Sequence, residues 1–131
     1  MRIGALAATA GLTTRTIRFY EHAGLLAPPP RTGAGYRDYP AETATRLAFI
    51  RDAQAAGLTL AEIRSILAIR DGGHPPCRHV TDLIDQHLAQ VDERIAELTQ
   101  TRAALASLQR RAAATDSADC HDTDICTILT G

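Results

Sequence analysis

The 131-residue sequence has no Lys and no Trp, and only three Tyr, two Phe and three Cys. Aromatics at 4% leave little material for a thick aromatic core, while 24 Ala favour closely approaching helices, so the composition points to a mainly all-α protein. The length suits about one compact domain plus an appendage and excludes a large multidomain enzyme. No run reaches the ~18 apolar residues of a membrane span, and no charged segment precedes a short apolar one as in a secretory signal. A cytoplasmic protein with no membrane partner is expected. Three Cys cannot all pair within one chain, and in a reducing compartment thiols away from a core serve better as ligands or redox centres than as staples. No nucleophile with a neighbouring base and no phosphate-cradling loop appears, so enzyme activity is not expected.

Charge of either sign is nearly absent in sum, with a net value of -1, but it is unevenly placed. Residues 1–70 hold nine Arg and five acids, and residues 71–131 hold five Arg and ten acids. A basic half therefore precedes an acidic half. With every basic side chain an Arg, the basic half carries bidentate donors suited to phosphates and guanine edges.

The opening Ile3, Leu6, Ala7 and Ala10 fall at helical spacing, and Gly11 stops the stripe. Thr13 can cap a second helix that turns Ile17 and Tyr20 inward and leaves Thr14, Arg15 and Arg18 outside, which makes a helix-turn-helix pattern. Pro28, Pro29 and Pro30 prevent the helix from resuming. The segment from Arg31 to Tyr39 reads as a Gly-centred hairpin, a small wing, with Tyr36 and Asp38 on one face and Arg37 and Tyr39 on the other. Pro40 suits the first turn of a third helix reaching about Ala56, its apolar face supplied by Ala44, Leu47, Ala48 and Ile50. Thr59 and Glu62 form a capping box for a fourth helix with Leu60, Ile63, Ile66 and Leu67 inside.

After the break at 71–76, residues 77–114 contain no Gly or Pro. Val80, Ile84, His87, Val91, Arg94, Leu98, Thr101, Leu105, Leu108 and Ala112 alternate spacings of four and three, a coiled-coil seam interrupted by polar residues. No second long helix exists in the chain to cover it, so a homodimer is the economical partner. The organisation is thus a head at 1–70, a dimerisation helix at 77–114 and a polar tail at 115–131.

Three stretches carry a resemblance: Ile3-Gly4-x-Leu6-Ala7; Thr14-Arg15-x-Ile17-Arg18-Phe19-Tyr20-Glu21-x-x-Gly24-Leu25-Leu26; and Gly35-Tyr36-Arg37-Asp38-Tyr39. The chain resembles the MerR family of transcription regulators through these and through Leu58 to Ile63. The resemblance implies a winged helix-turn-helix head and a dimerisation helix that pairs antiparallel with its twin. It also implies DNA contacts from Tyr20, Tyr36 and Arg37, beside Thr14, Arg15 and Arg18, which the helix geometry already aims at a groove. Competing readings are an Arg18 to Glu21 surface ion pair and a core role for Tyr20.

Cys77 opens the long helix, whereas Cys120 and Cys126 flank a tail loop of His121, Asp122, Thr123, Asp124 and Ile125. An antiparallel dimer brings the start of one helix beside the end of the other, so three thiolates can converge, with His121, Asp122 or Asp124 as a fourth ligand. His74 and His79 are nearer to Cys77 but ordinarily solvated, and His87 lies in the seam. Cys77 taken alone is equally a small buried hydrophobe. Soft thiolates select Hg(II), Cu(I), Zn(II), Cd(II) or Pb(II) over hard ions. The resemblance implies a divalent ion, Hg, Pb, Cd or Zn, because copper(I)-sensing members have Ser where Cys77 stands and redox-sensing members hold an iron-sulfur centre with four clustered Cys. The expected function is a metal-responsive regulator that activates transcription by distorting promoter DNA, engaging RNA polymerase indirectly. The alternatives are a thiol redox sensor with a Cys120 to Cys126 disulfide, and a metal buffer that does not bind DNA.

Overall fold

In the computed structural model the described residues are 1–116, 118 and 125–130. They form six helices: α1 (Ile3–Ala10), α2 (Thr14–His22), α3 (Glu42–Ala55), α4 (Leu60–Asp71), α5 (Cys77–Ala114) and α6 (Thr127–Thr130). The chain divides into two units, Met1–His87 and Leu88–Gly131.

Within the first unit the caps lie where the sequence puts them. Gly11 ends α1 in the left-handed region at φ 66°, a conformation that favours glycine. Thr13 Oγ1 accepts from the Thr16 N–H at the start of α2. Both bonds of the Thr59 and Glu62 capping box are present on α4. The third helix starts later than expected: Pro40 and Ala41 form a preceding turn, their carbonyls accepting from Thr43 and Ala44. Leu6, Ile17, Leu25, Leu47, Ile50 and Ile63 are fully buried, with Tyr20 and Tyr39 nearly so, and this cluster fixes α1 to α4 around one core. Ala48 lies outside it, and Ala53 takes the place on the buried face of α3.

The wing differs from the expected hairpin. Among the described residues there is one isolated antiparallel bridge, Arg31 to Arg37, with no strand. Thr32 N–H donates to Tyr36 O at 2.7 Å and Asp38 N–H to Pro30 O at 2.8 Å, around a turn closed by Gly35 N–H on Thr32 O. The ladder stops there because Pro28, Pro29, Pro30 and Pro40 have no N–H to extend it.

Of the described residues of α5, Leu83 alone is buried, in the first unit's core. In the second unit Leu88, Val91, Ile95, Leu98 and Leu105 stay more than half exposed. There, Arg111 Nη1 donates to Ile128 O at 2.7 Å, tying α6 to the end of α5.

Candidate nucleic-acid interface and thiol positions

The cap at Thr13 orients the first turn of α2, and the two buried side chains Ile17 and Tyr20 set its rotation. Arg15 and Arg18 are consequently exposed, and Thr14 is half-buried. Neither Arg15 nor Arg18 has a carboxylate partner among the described residues. Glu21, one turn from Arg18, faces elsewhere. Its carboxylate accepts from Arg37 Nη1 at 2.8 Å and from the Tyr39 hydroxyl. Alternation in the wing thus gives Arg37 and Tyr39 a shared side and a shared partner. Burial and the bond to Glu21 push the Tyr39 phenol above its ordinary pKa, and the Tyr39 bond followed by the Glu21 charge raises that of Arg37.

Tyr20, a DNA contact on the resemblance, is placed in the core: it is 5% exposed and its hydroxyl donates to Gln54 Oε1 at 2.8 Å. A phenol packed among Leu and Ile side chains with its polar tip satisfied has no edge left to offer. Tyr36 is its opposite, 53% exposed, with the Arg2 guanidinium 4.2 Å above its ring centroid. Nothing in the sequence pattern singled out Arg2, because the pairing joins the first residues of the chain to the wing, far beyond helical spacing. The same holds for the ties that hold the head together: Arg46 is bidentate to Asp71, and His87 Nε2 meets Glu62 Oε1 at 2.8 Å.

Cys77 is exposed at the first position of α5 and is a free thiol, which removes its reading as a buried hydrophobe. Cys126 is a free, half-buried thiol just before α6, and its carbonyl accepts from Thr130. Cys120, His121, Asp122 and Asp124 lie outside the described residues. Among the described residues of a single chain, no three His, Cys, Asp or Glu side chains converge. His79 is hydrogen-bonded to Ser65 Oγ at 2.8 Å and His74 is exposed. No described helix is long and apolar enough to cross a membrane.

Residues 1–68 match the family described as MerR HTH family regulatory protein, and residues 44–108 match that described as MerR, DNA binding. The chain is 36% identical over 116 residues to the HTH-type transcriptional regulator ZntR homolog of Haemophilus influenzae, spanning 88% of this chain and 86% of that one. It is 37% identical over 110 residues to the mercuric resistance operon regulatory protein of Bacillus cereus, spanning 84% and 83%. The crystal structure of the transcription regulator PbrR691 from Ralstonia metallidurans CH34 in complex with lead(II) superposes with a TM-score of 0.75 at 38% identity, over 99% of this chain and 97% of that one. These relatives are regulators, not enzymes, and with the capped α2 and its unpaired arginines they fix the assignment: the chain belongs to the MerR family of helix-turn-helix transcriptional regulators.

Proposed function

We propose that the chain is a cytoplasmic, metal-responsive activator that binds promoter DNA as a homodimer and responds to a thiophilic divalent ion, Hg, Pb, Cd or Zn. The observation that carries the metal reading is Cys77, a free and exposed thiol at the head of α5 where the fold requires no cysteine. Together with Cys120 and Cys126, and with His121 as a further ligand, it makes a donor set of soft thiolates that fits such ions and disfavours hard ones. Cys77 of one protomer serves with Cys120 and Cys126 of its twin, since antiparallel pairing of α5 brings the start of one helix to the end of the other. The relatives named for mercuric resistance and solved with lead(II) are consistent with that choice.

On the DNA side, Arg15, Arg18 and Thr14 face the groove, where a bidentate Arg on guanine is worth ~1–3 kcal/mol of discrimination, and Tyr36 meets the backbone. Arg37, its charge answered by Glu21, holds the wing in place, and Tyr20 holds α2 against Gln54. Bound metal adds thiolate bonds across the dimer, favours one of two head arrangements, and so changes the twist of the promoter that RNA polymerase must read.

The test compares Cys77→Ser, Cys120→Ser and Cys126→Ser in a promoter-reporter assay and a mobility shift. Each variant is expected to lose induction by metal while keeping metal-free operator affinity within about twofold, since a substitution distant from the DNA face usually shifts binding by no more than ~0.3–0.5 kcal/mol. Induction retained in all three would overturn the site. Competitive titration with Hg(II), Pb(II), Cd(II), Zn(II) and Cu(I), followed through the ultraviolet thiolate bands, identifies the ion.

A further inference from the structure

The first unit carries a cavity of about 250 Å³ lined by Arg2, Arg18, Arg31, Tyr36 and Arg37, and no acidic side chain lines it. Their charges are not equivalent. Arg37 is neutralised by Glu21 at 2.8 Å. Arg31 gives Nη1 to the Gly35 carbonyl at 2.8 Å, an uncharged acceptor that leaves its positive charge uncompensated. Arg2 and Arg18 have no carboxylate partner among the described residues. Three uncompensated guanidinium groups thus share one small concavity. Arg2 is also held: its guanidinium lies over the Tyr36 ring at 4.2 Å, an arrangement that spends the flat face of the group and leaves its N–H donors free. The exposed Tyr36 hydroxyl has no partner among the described residues and adds a further donor.

We propose that Arg2 and Arg31 belong to the DNA-binding surface, forming with Arg18 and Tyr36 a cradle for one backbone phosphate of the duplex, in which the Tyr36 ring serves as the platform that positions Arg2. The volume falls below the ~300–1,000 Å³ of sites for organic ligands, and a cluster of donors without an acid selects an anion. Arg18 decides which anion. It belongs at once to this cavity and to the exposed face of α2, so a phosphate held here is continuous with the strand whose groove α2 reads. The cradle, Arg18 included, fixes register and contributes affinity irrespective of base sequence, which leaves the reading of bases to Arg15.

This inference rests on the reading of the chain as a DNA-binding regulator, and the experiment separates the two. Binding of the full chain to a fluorescein-labelled duplex of arbitrary sequence is followed by anisotropy over a salt series, because sequence-independent affinity reports phosphate neutralisation. Arg2→Gln is expected to weaken binding alike for every duplex sequence and to reduce the slope of log K against log salt, by at most the ~0.9 of one phosphate per protomer. Arg2→Lys restores most of the slope, and Tyr36→Leu, which removes the platform, lowers it as Arg2→Gln does. Arg2→Gln keeps the cooperative thermal transition of the wild type, since the exposed contact with the Tyr36 ring is the one side-chain interaction it loses among the described residues. An unchanged slope in Arg2→Gln overturns the cradle while leaving the regulator reading intact. Competition between inorganic phosphate and the duplex at matched ionic strength, lost in Arg2→Gln, supports the cradle, whereas phosphate bound through Arg2 without displacing the duplex marks a free-anion site and overturns it as well. A wild-type chain that binds no duplex defeats the underlying reading, and the cradle falls with it.

Discussion

The Tyr20 hydroxyl donates to Gln54 Oε1 at 2.8 Å inside the head, whereas Tyr36, on the wing, carries a guanidinium on its ring in solvent. Helical spacing turns Tyr20 toward the core beside Ile17, and that inward reading agrees with the burial; the competing assignment came from resemblance at that position, which cannot say what Gln54 offers. Tyr20→Phe keeps the packed ring and removes one hydrogen bond, leaving the Gln54 carbonyl oxygen in need of a new donor. The expected result is a loss of ~1 kcal/mol in denaturant unfolding with operator affinity unchanged in a mobility shift. A tenfold loss of affinity at unchanged stability would return Tyr20 to the DNA interface. Glu21 teaches the complementary lesson. Its neighbour in sequence is Arg18, yet it binds Arg37 and Tyr39, because the wing brings a second cation and a phenol to a carboxylate whose side chain is only 9% exposed.

Among the elements, local signals were legible and distant ones were not. Thr13, Gly11 and the Thr59 and Glu62 box set helix ends through bonds spanning three or four residues: α1 ends, and α2 and α4 begin, where those signals stand. The ties between helices are invisible to such reasoning. Arg51 donates to Ala10 O at 2.6 Å and Arg64 to Ala23 O at 2.9 Å, each 41 residues away, while Arg46 donates to Leu25 O at 2.7 Å. Guanidinium groups from α3 and α4 thus serve the carbonyl ends of α1 and α2, where a positive charge is favoured. The basic surplus of residues 1–70 therefore overstates the DNA surface, since these arginines are spent inside the head. Glu62 belongs to the same category: it closes the capping box and also receives His87 of α5. Its carboxyl is held below the ordinary value, first by the Thr59 backbone N–H and then by His87, and Arg46 does the same for Asp71. A carboxyl with a lowered pKa in the folded state contributes stability that is complete above its unfolded value, ~4.3 for Glu and ~3.9 for Asp, and is lost as pH falls through the folded value. The head is accordingly expected to lose stability on acidification below about pH 4.5. Glu62→Gln should lower the thermal midpoint at neutral pH and flatten this acid limb, as followed by circular dichroism; an acid limb identical to that of the wild type would remove Glu62 from the linkage.

At the scale of the whole molecule, the balanced net charge conceals a cationic head and an acidic remainder. The long helix was fully legible, since 38 residues without Gly or Pro coincide with α5. What covers it was legible only as a need. Leu88, Val91, Ile95, Leu98 and Leu105 stand between 51% and 60% exposed at seam or near-seam positions, and covering what remains of each contributes about half of the ~1.5–3 kcal/mol for fully burying a side chain of this size. A second copy of the same helix supplies a matching stripe, and the polar Arg94 and Thr101 within the seam limit the registers in which two copies fit. In an antiparallel pair residue i meets j and j meets i, so each charge placed in that stripe enters the interface twice. Val91→Asp combined with Leu98→Asp is therefore expected to give a monomer in sedimentation equilibrium at concentrations where the wild type is dimeric. The head, whose core lies in residues 1–87, should keep its helical circular-dichroism signal. Because a dimer presents two recognition helices to two half-sites, the monomer should also lose at least ~100-fold in operator affinity, the lower end of what linked binding contributes. A double variant that remains dimeric would show that the α5 stripe is not the interface, and one that is monomeric yet binds the operator as tightly as the wild type would show that a single head is sufficient.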